Sequence, residues 1–127
     1  MATLTDAQIA FLEEPNYAVV ATLDERGRPR TTVVWVDTDG TDVLFNTTTK
    51  RAKARHLARN SYVSVLVLDR ASPYRWLEVQ GPTETTEDGA AEHMHRLSRK
   101  YTGEDWSDVS NRLLVRVHPE RVASYGD

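Results

Sequence analysis

The chain has no cysteine among its 127 residues, so disulfides, iron–sulfur ligation and thiol nucleophiles are excluded together. Its six glycines are isolated from one another. No G-x-G-x-x-G and no Walker loop can be written, and the usual nicotinamide and nucleoside-triphosphate cradles are absent. No apolar run approaches the ~20 residues of a membrane span. The opening Met1-Ala-Thr-Leu-Thr-Asp6 has neither a charged nor an apolar leader region, which sets the expectation of a cytoplasmic protein. The histidines, His56, His93, His95 and His118, show no H-E-x-x-H or comparable ligand spacing, and no metal is expected. His93 and His95 lie two apart on a predicted helix and read as solvated side chains. No serine has a nucleophile-elbow context and no carboxylate pair is marked out, so no catalytic side chain is identified. Hard chemistry, if any, belongs to a bound cofactor.

What the chain does have is a run of hydroxyls feeding a basic segment, Asn46-Thr-Thr-Thr-Lys-Arg-Ala-Lys-Ala-Arg-His-Leu57. Five of the sixteen Lys and Arg residues fall between Lys50 and Arg59, although the net charge is −3. A hydroxyl-rich loop at a helix start suits an anion, because free N–H groups and the helix dipole both point at it. Lys and Arg there add charge-assisted hydrogen bonds to phosphate. Arg51, Arg55 and Arg59 stack at i, i+4 and i+8, a stripe about 12 Å long that could follow an anionic tail. A solvated helix face and a nucleic-acid patch are the competing readings, the second disfavoured because no other basic cluster extends it.

The rest of the chain reads as a β protein with flanking helices. Thr5 and Gln8 form a capping box, with Leu4 and Ile9 as a hydrophobic staple, for a first helix ending before Pro15. Strands are predicted at Tyr17–Leu23, Thr31–Val36, Val43–Thr47, Tyr62–Leu68, Tyr74–Gln80 and Leu113–Val117. Asp39-Gly40 is the strongest hairpin signal, and Gly81-Pro82 suggests a bulge or strand edge. The basic helix covers about Lys50–Arg59, and a third helix runs from about Thr86 to Tyr101. Short strands joined by hairpins point to one domain, residues 1–127, built on an antiparallel sheet or barrel. Trp35, Tyr74 and Trp76 read either as core or subunit interface, or as a flat wall against a planar ring; Tyr101 reads as core.

Five pieces in register carry a family resemblance: Tyr17-Ala-Val-Val-Ala-Thr-Leu23, Gly27-Arg-Pro-Arg-Thr-Thr-Val-Val-Trp35, Val43-Leu-Phe-Asn-Thr47, Arg51-Ala-Lys-Ala-Arg55 and Tyr74-Arg-Trp-Leu-Glu-Val-Gln-Gly81. The chain resembles the split β-barrel flavin and deazaflavin oxidoreductases, the pyridoxamine-phosphate-oxidase superfamily. More narrowly, it is similar to the actinobacterial branch of coenzyme F420-dependent reductases. The resemblance implies a six-stranded antiparallel split β-barrel, mainly β, and a homodimer with cofactor at the subunit interface. By position, Asn46, Thr47, Thr48, Arg51 and Lys53 match the cofactor's phosphate site and Thr32, Val34 and Trp35 the strand beside its ring; Ala52 is counted with the cofactor-binding residues, and Arg55 and Arg59 would neutralise an anionic tail. The Tyr74–Trp76 stretch matches the part contributed by the partner, with Tyr74 a candidate proton donor. The implied function is hydride transfer from reduced F420 to a conjugated, electron-poor small organic substrate. The alternatives are an FMN-binding oxidase or reductase of the same fold, or a non-catalytic cofactor-binding protein. Two departures stand out. His56 replaces a usual Asn, and Arg121-Val-Ala-Ser-Tyr-Gly-Asp127 lacks the basic, aromatic segment that would hold pyridoxamine phosphate.

Overall fold

In the computed structural model, which describes residues 1–126, three helices flank a curled antiparallel sheet, consistent with a split barrel. The strands are β1 (Tyr17–Leu23), β2 (Pro29–Val34), β3 (Val36–Thr38), β4 (Val43–Thr48), β5 (Tyr62–Leu68), β6 (Trp76–Thr86), β7 (Arg112–Val117) and β8 (Arg121–Tyr125). The helices are α1 (Asp6–Glu13), α2 (Ala52–Arg59) and α3 (Ala90–Thr102). Neighbouring strands run in the order β2-β1-β5-β6-β7-β4-β3, with β8 beside β6. No helix among the described residues is long and apolar enough to cross a membrane.

The strand β6 belongs to both halves of the barrel. Its first part, Trp76–Gln80, lies between β5 and β8, and its last part, Thr83–Thr86, pairs with β7. Gly81 and Pro82 sit inside this strand, where it changes neighbours, instead of ending it. The carbonyl oxygen of His118 approaches so closely that a Cβ on Gly81 would lie 1.8 Å from it. Only glycine fits, and the missing N–H of Pro82 falls at the point of transfer. Alternating residues of β1, β5 and β6 (Ala18, Val20, Val63, Val65, Val67, Leu77, Val79) fill the barrel with Phe45, Val115 and Val117. Phe11 and Leu12 of α1 and Leu57 of α2 close its ends. β4 is buried on both faces, because Leu44 packs outward against Ala90 of α3 and Leu114.

The Thr5–Gln8 capping box forms as read, with Gln8 N–H donating to Thr5 Oγ1 at 3.1 Å and Thr5 N–H to Gln8 Oε1 at 2.9 Å. Four boundaries differ from the sequence expectation. There are eight strands, not six. The strand expected over Thr31–Val36 divides at Trp35, because α3 takes over the backbone bonds of Val36. Tyr101 Oη accepts from Val36 N at 3.2 Å, and Lys100 Nζ donates to Val36 O at 2.5 Å. β8 was hidden because it is a half-exposed edge strand with no apolar alternation. Finally, α3 begins at Ala90, since the ladder to β7 holds the chain extended through Thr86, and Tyr74 precedes β6.

Candidate functional site

The β4–α2 junction is one wall of a cavity of about 230 Å³. Three other parts of the chain complete it. The end of β2 supplies Val33, Val34 and Trp35; α3 supplies Met94 and Leu97; the segment leading into β7 supplies Trp106 and Arg112. Arg112 stands opposite Thr48 in the β4–β7 ladder, which is why residues more than 60 apart in the chain meet here.

The polar part of the wall is Asn46, Thr47, Arg51, Lys53 and Arg112. Lys53 is 8% exposed, and burial, followed by the positive charge of Arg51, holds its ammonium below the usual lysine value. The same two causes lower Arg112. Four side-chain polar atoms are buried with no hydrogen-bond partner among the described residues; Asn46 Oδ1, Thr47 Oγ1 and Arg112 Nε belong to cavity-lining residues, and His95 Nδ1, on a side chain read as solvated, does not. Buried polar atoms in a folded protein are nearly always satisfied, so a group of three around one cavity calls for a partner from outside the chain, water or ligand. α2 has no side-chain cap, and Arg51 precedes it in extended conformation; the N–H of Ala54 donates to Arg51 O at 3.1 Å, which leaves those of Ala52 and Lys53 open.

The flat part of the wall is aromatic. Trp35 stacks on Tyr101 at 5.2 Å with the rings 9° from parallel, and Trp106 meets Trp35 edge-on at 5.6 Å. Arg112 lies over Trp106 at 5.9 Å. Tyr101 is fixed by donating to Asn16 O at 2.7 Å, and burial raises its phenol.

Of the expected site residues, the structure brings Val34, Trp35, Asn46, Thr47, Arg51 and Lys53 together at the cavity. Thr32 is exposed on the edge strand; Thr48, Ala52 and Arg55 do not line the cavity. Trp76 lies elsewhere, in an apolar recess with Leu66 and Leu68. Tyr74 is 79% exposed. The arginine stripe is interrupted. Arg51 is outside the helix, Arg55 turns back to Lys50 O at 3.4 Å, and Arg59 faces Glu25 at 3.8 Å.

His93 corrects the solvated reading. It is 1% exposed, with Nε2 2.8 Å from Asp37 Oδ1 and Nδ1 3.1 Å from Asn46 Nδ2. The helix turns this side chain toward β4, and the two-residue spacing from His95 said nothing about which face was buried. His56 hydrogen-bonds Thr22 Oγ1 at 2.9 Å and ties α2 to β1. Trp106 and Arg112 were missed because nothing local distinguishes them; only the ladder brings Arg112 to the site. Among the described residues no group of three or more potential acidic, histidine or cysteine ligands could hold a metal ion.

Comparisons with known proteins point the same way. The family model described as pyridoxamine 5'-phosphate oxidase matches residues 4–126. A pyridoxine/pyridoxamine 5'-phosphate oxidase of Mycobacterium sp. (strain JLS) is 32% identical over 114 residues, covering 88% of this chain and 54% of its own length. A protein of the same name in Mycolicibacterium vanbaalenii is 33% identical over 106 residues, covering 83% of this chain and 40% of the relative. The chain thus spans about half the length of these curated relatives. A solved F420 reductase superposes with a TM-score of 0.83 at 31% identity, over 94% of this chain and 98% of the other. A conserved hypothetical protein of Mycobacterium tuberculosis gives 0.77 at 26% identity, over 96% and 84%.

Proposed function

The chain belongs to the pyridoxamine 5'-phosphate oxidase family, and from that membership we propose that it is an oxidoreductase holding a deazaflavin of the coenzyme F420 type in this cavity. Its substrate would be a conjugated, electron-poor small organic molecule. The observation that carries the reading is the pair Lys53, which is buried, and Arg112, which is half-buried. Both stand beside Arg51, and no carboxylate among the described residues lies within ion-pairing distance of any of the three. Burying cations without an anion is costly, and a phosphate removes that cost.

The residues present fit such a cofactor. Arg51, Lys53, Arg112 and the Thr47 hydroxyl would hold the phosphate, assisted by the open N–H groups at the start of α2. Trp35, backed by Tyr101, would give a planar ring a flat, dry surface. When bound, the deazaflavin supplies two-electron hydride chemistry. The protein's own contribution is to orient the ring and leave one face open to substrate. The F420 reductase, matched over nearly its whole length at similar size, favours F420. Lys50 and Arg55 are exposed beyond the phosphate corner and would meet a charged tail.

The compact cluster of three cations also suits the single phosphate of FMN, which is the second reading. Fluorescence titration with FMN and with F420 separates the two. Tight F420 binding together with reduction of unsaturated test compounds supports the first reading, whereas binding of neither cofactor overturns both. Binding without turnover of any such compound would leave a cofactor-holding protein.

Two copies would complete the site. Leu66, Leu68 and Trp76 line an apolar recess beside Tyr125, which stacks on Trp76 at 6.3 Å, and Val33 is 72% exposed on the β2 edge. Apolar surface of this kind marks an interface. Light scattering should give twice the monomer mass of 14.4 kDa.

A further inference from the structure

The relay Asp37–His93–Asn46 ties β3, α3 and β4 together and ends on Asn46, a cavity-lining residue whose amide oxygen is buried without a partner. Its hydrogen bonds determine each orientation in turn. Asn46 Nδ2 donates to Ala90 O at 2.9 Å, so the amide nitrogen faces α3 and the amide oxygen faces away from it. The same Nδ2 lies 3.1 Å from His93 Nδ1. A nitrogen that receives a hydrogen bond cannot carry the proton, so the imidazole proton sits on Nε2. There it is donated to Asp37 Oδ1 at 2.8 Å. Arg96 Nε donates to the other oxygen of Asp37 at 3.4 Å and keeps that carboxylate in place. Turning the Asn46 amide over would set its oxygen against Ala90 O and against the His93 lone pair. The relay thus locks Asn46 Oδ1 as a hydrogen-bond acceptor among the cavity-lining groups, where it has no partner.

An acceptor locked in this way does not hold a phosphate, whose oxygens are acceptors too. The structure assigns to Asn46 the recognition of a hydrogen-bond donor, a hydroxyl or an N–H, on the ligand whose anion is held by Arg51, Lys53 and Arg112, with His93 as the positioning residue that acts through Asn46. This rests on the proposed cofactor reading and revises it at one position. Asn46 leaves the phosphate set and becomes a selector for a ligand that carries a donor near its anionic group. A bare anion gains nothing from it.

The test uses the whole protein. Long-range nitrogen–proton spectra of His93 in the wild type should show Nε2 protonated and Nδ1 bare; the opposite tautomer overturns the relay. Affinities for F420 and FMN are measured by fluorescence, and for inorganic phosphate by chemical-shift titration. Asn46→Leu and His93→Leu should each weaken the cofactor that binds by roughly tenfold, the effect of one lost hydrogen bond, and leave phosphate unchanged. Combining them should cost no more than Asn46→Leu alone, because His93 acts only through Asn46. His93→Gln, whose amide oxygen can accept from Asn46, should recover most of the loss. Cofactor affinity unchanged in His93→Leu, additive losses, or phosphate weakening in step would sink the assignment. If the wild type binds neither cofactor, the cofactor reading falls, and the tautomer spectrum alone decides whether the relay exists. That spectrum also stands if His93→Leu fails to fold.

Discussion

β4 and β7 run side by side, and their two ends treat charge in opposite ways. At the hairpin end, Arg116 reaches Asp39 and lies 3.6 Å from Asp42. His118 stands between Asp42, at 3.2 Å, and Glu84, at 2.5 Å. Asp39 also accepts from the backbone N–H groups of Thr41 and Asp42. Every charge there has a partner within the chain. At the cavity end of the same two strands, Arg112, Arg51 and Lys53 crowd together with no carboxylate of the described residues in ion-pair contact, and only the more distant charge of Asp108 acts on Arg112. The lesson is that basic residues reveal function by what they lack. Paired charges fasten a hairpin, whereas unpaired ones gathered at a cavity are the ones that support a proposed anion site.

The largest expected effect comes from removing the unpaired charges. Replacing Arg51 and Lys53 together by Ala should weaken cofactor binding by roughly a hundredfold or more. The unfolding midpoint of the free protein should not fall. Unchanged affinity would remove the anchor assignment. At the opposite end, Asp42→Ala strips Arg116 and His118 of a buried partner and should cost about 1–2 kcal/mol in urea denaturation. Cofactor affinity should stay as it was, and a matched loss of affinity would erase the contrast between the two ends. A smaller effect, opposite in sign, is expected for Lys53→Met. Exchanging an unpaired buried ammonium for an apolar side chain of similar length should stabilise the free protein by about 1 kcal/mol. A drop in stability would show that Lys53 already has an internal partner.

The smallest effect is a slope with pH. The hydrogen bond to Glu84, then that to Asp42, raises the His118 imidazole above its ordinary value, so the folded protein holds this proton more tightly than the unfolded chain. The stabilisation is fully present below the unfolded value of about 6.5 and fades as pH rises through the higher folded value. His118→Gln should flatten that decline in chemical denaturation curves taken across neutral pH. A decline that persists in His118→Gln would assign it to another group.

Local signals carried much of the fold. The capping box of α1, the hairpin at Asp39-Gly40 and the alternating or continuous apolar runs place most elements correctly. Where the sequence reading failed, the deciding contacts were long-range. Trp35 interrupts its strand because Tyr101 and Lys100 bond the next residue's backbone. Thr83–Thr86 stays extended because β7 lies beside it. For the candidate site, the Thr triplet and the basic residues after it led to a junction that lines the cavity, since neighbouring residues form that part of the wall. Arg112 and Trp106 come from a segment with no motif, and His93 is buried because one face of α3 meets β4. Periodicity alone does not say which turn of a helix will cover a polar neighbour.

Because Trp76–Thr86 is a single uninterrupted strand shared by both sheets, with Gly81 pressed against the carbonyl oxygen of His118, the barrel has no seam along which to gape. The cavity is thus shaped mostly by one continuous sheet, and the chain from Gly103 to Asn111 adds Trp106 to it from outside the helices and strands.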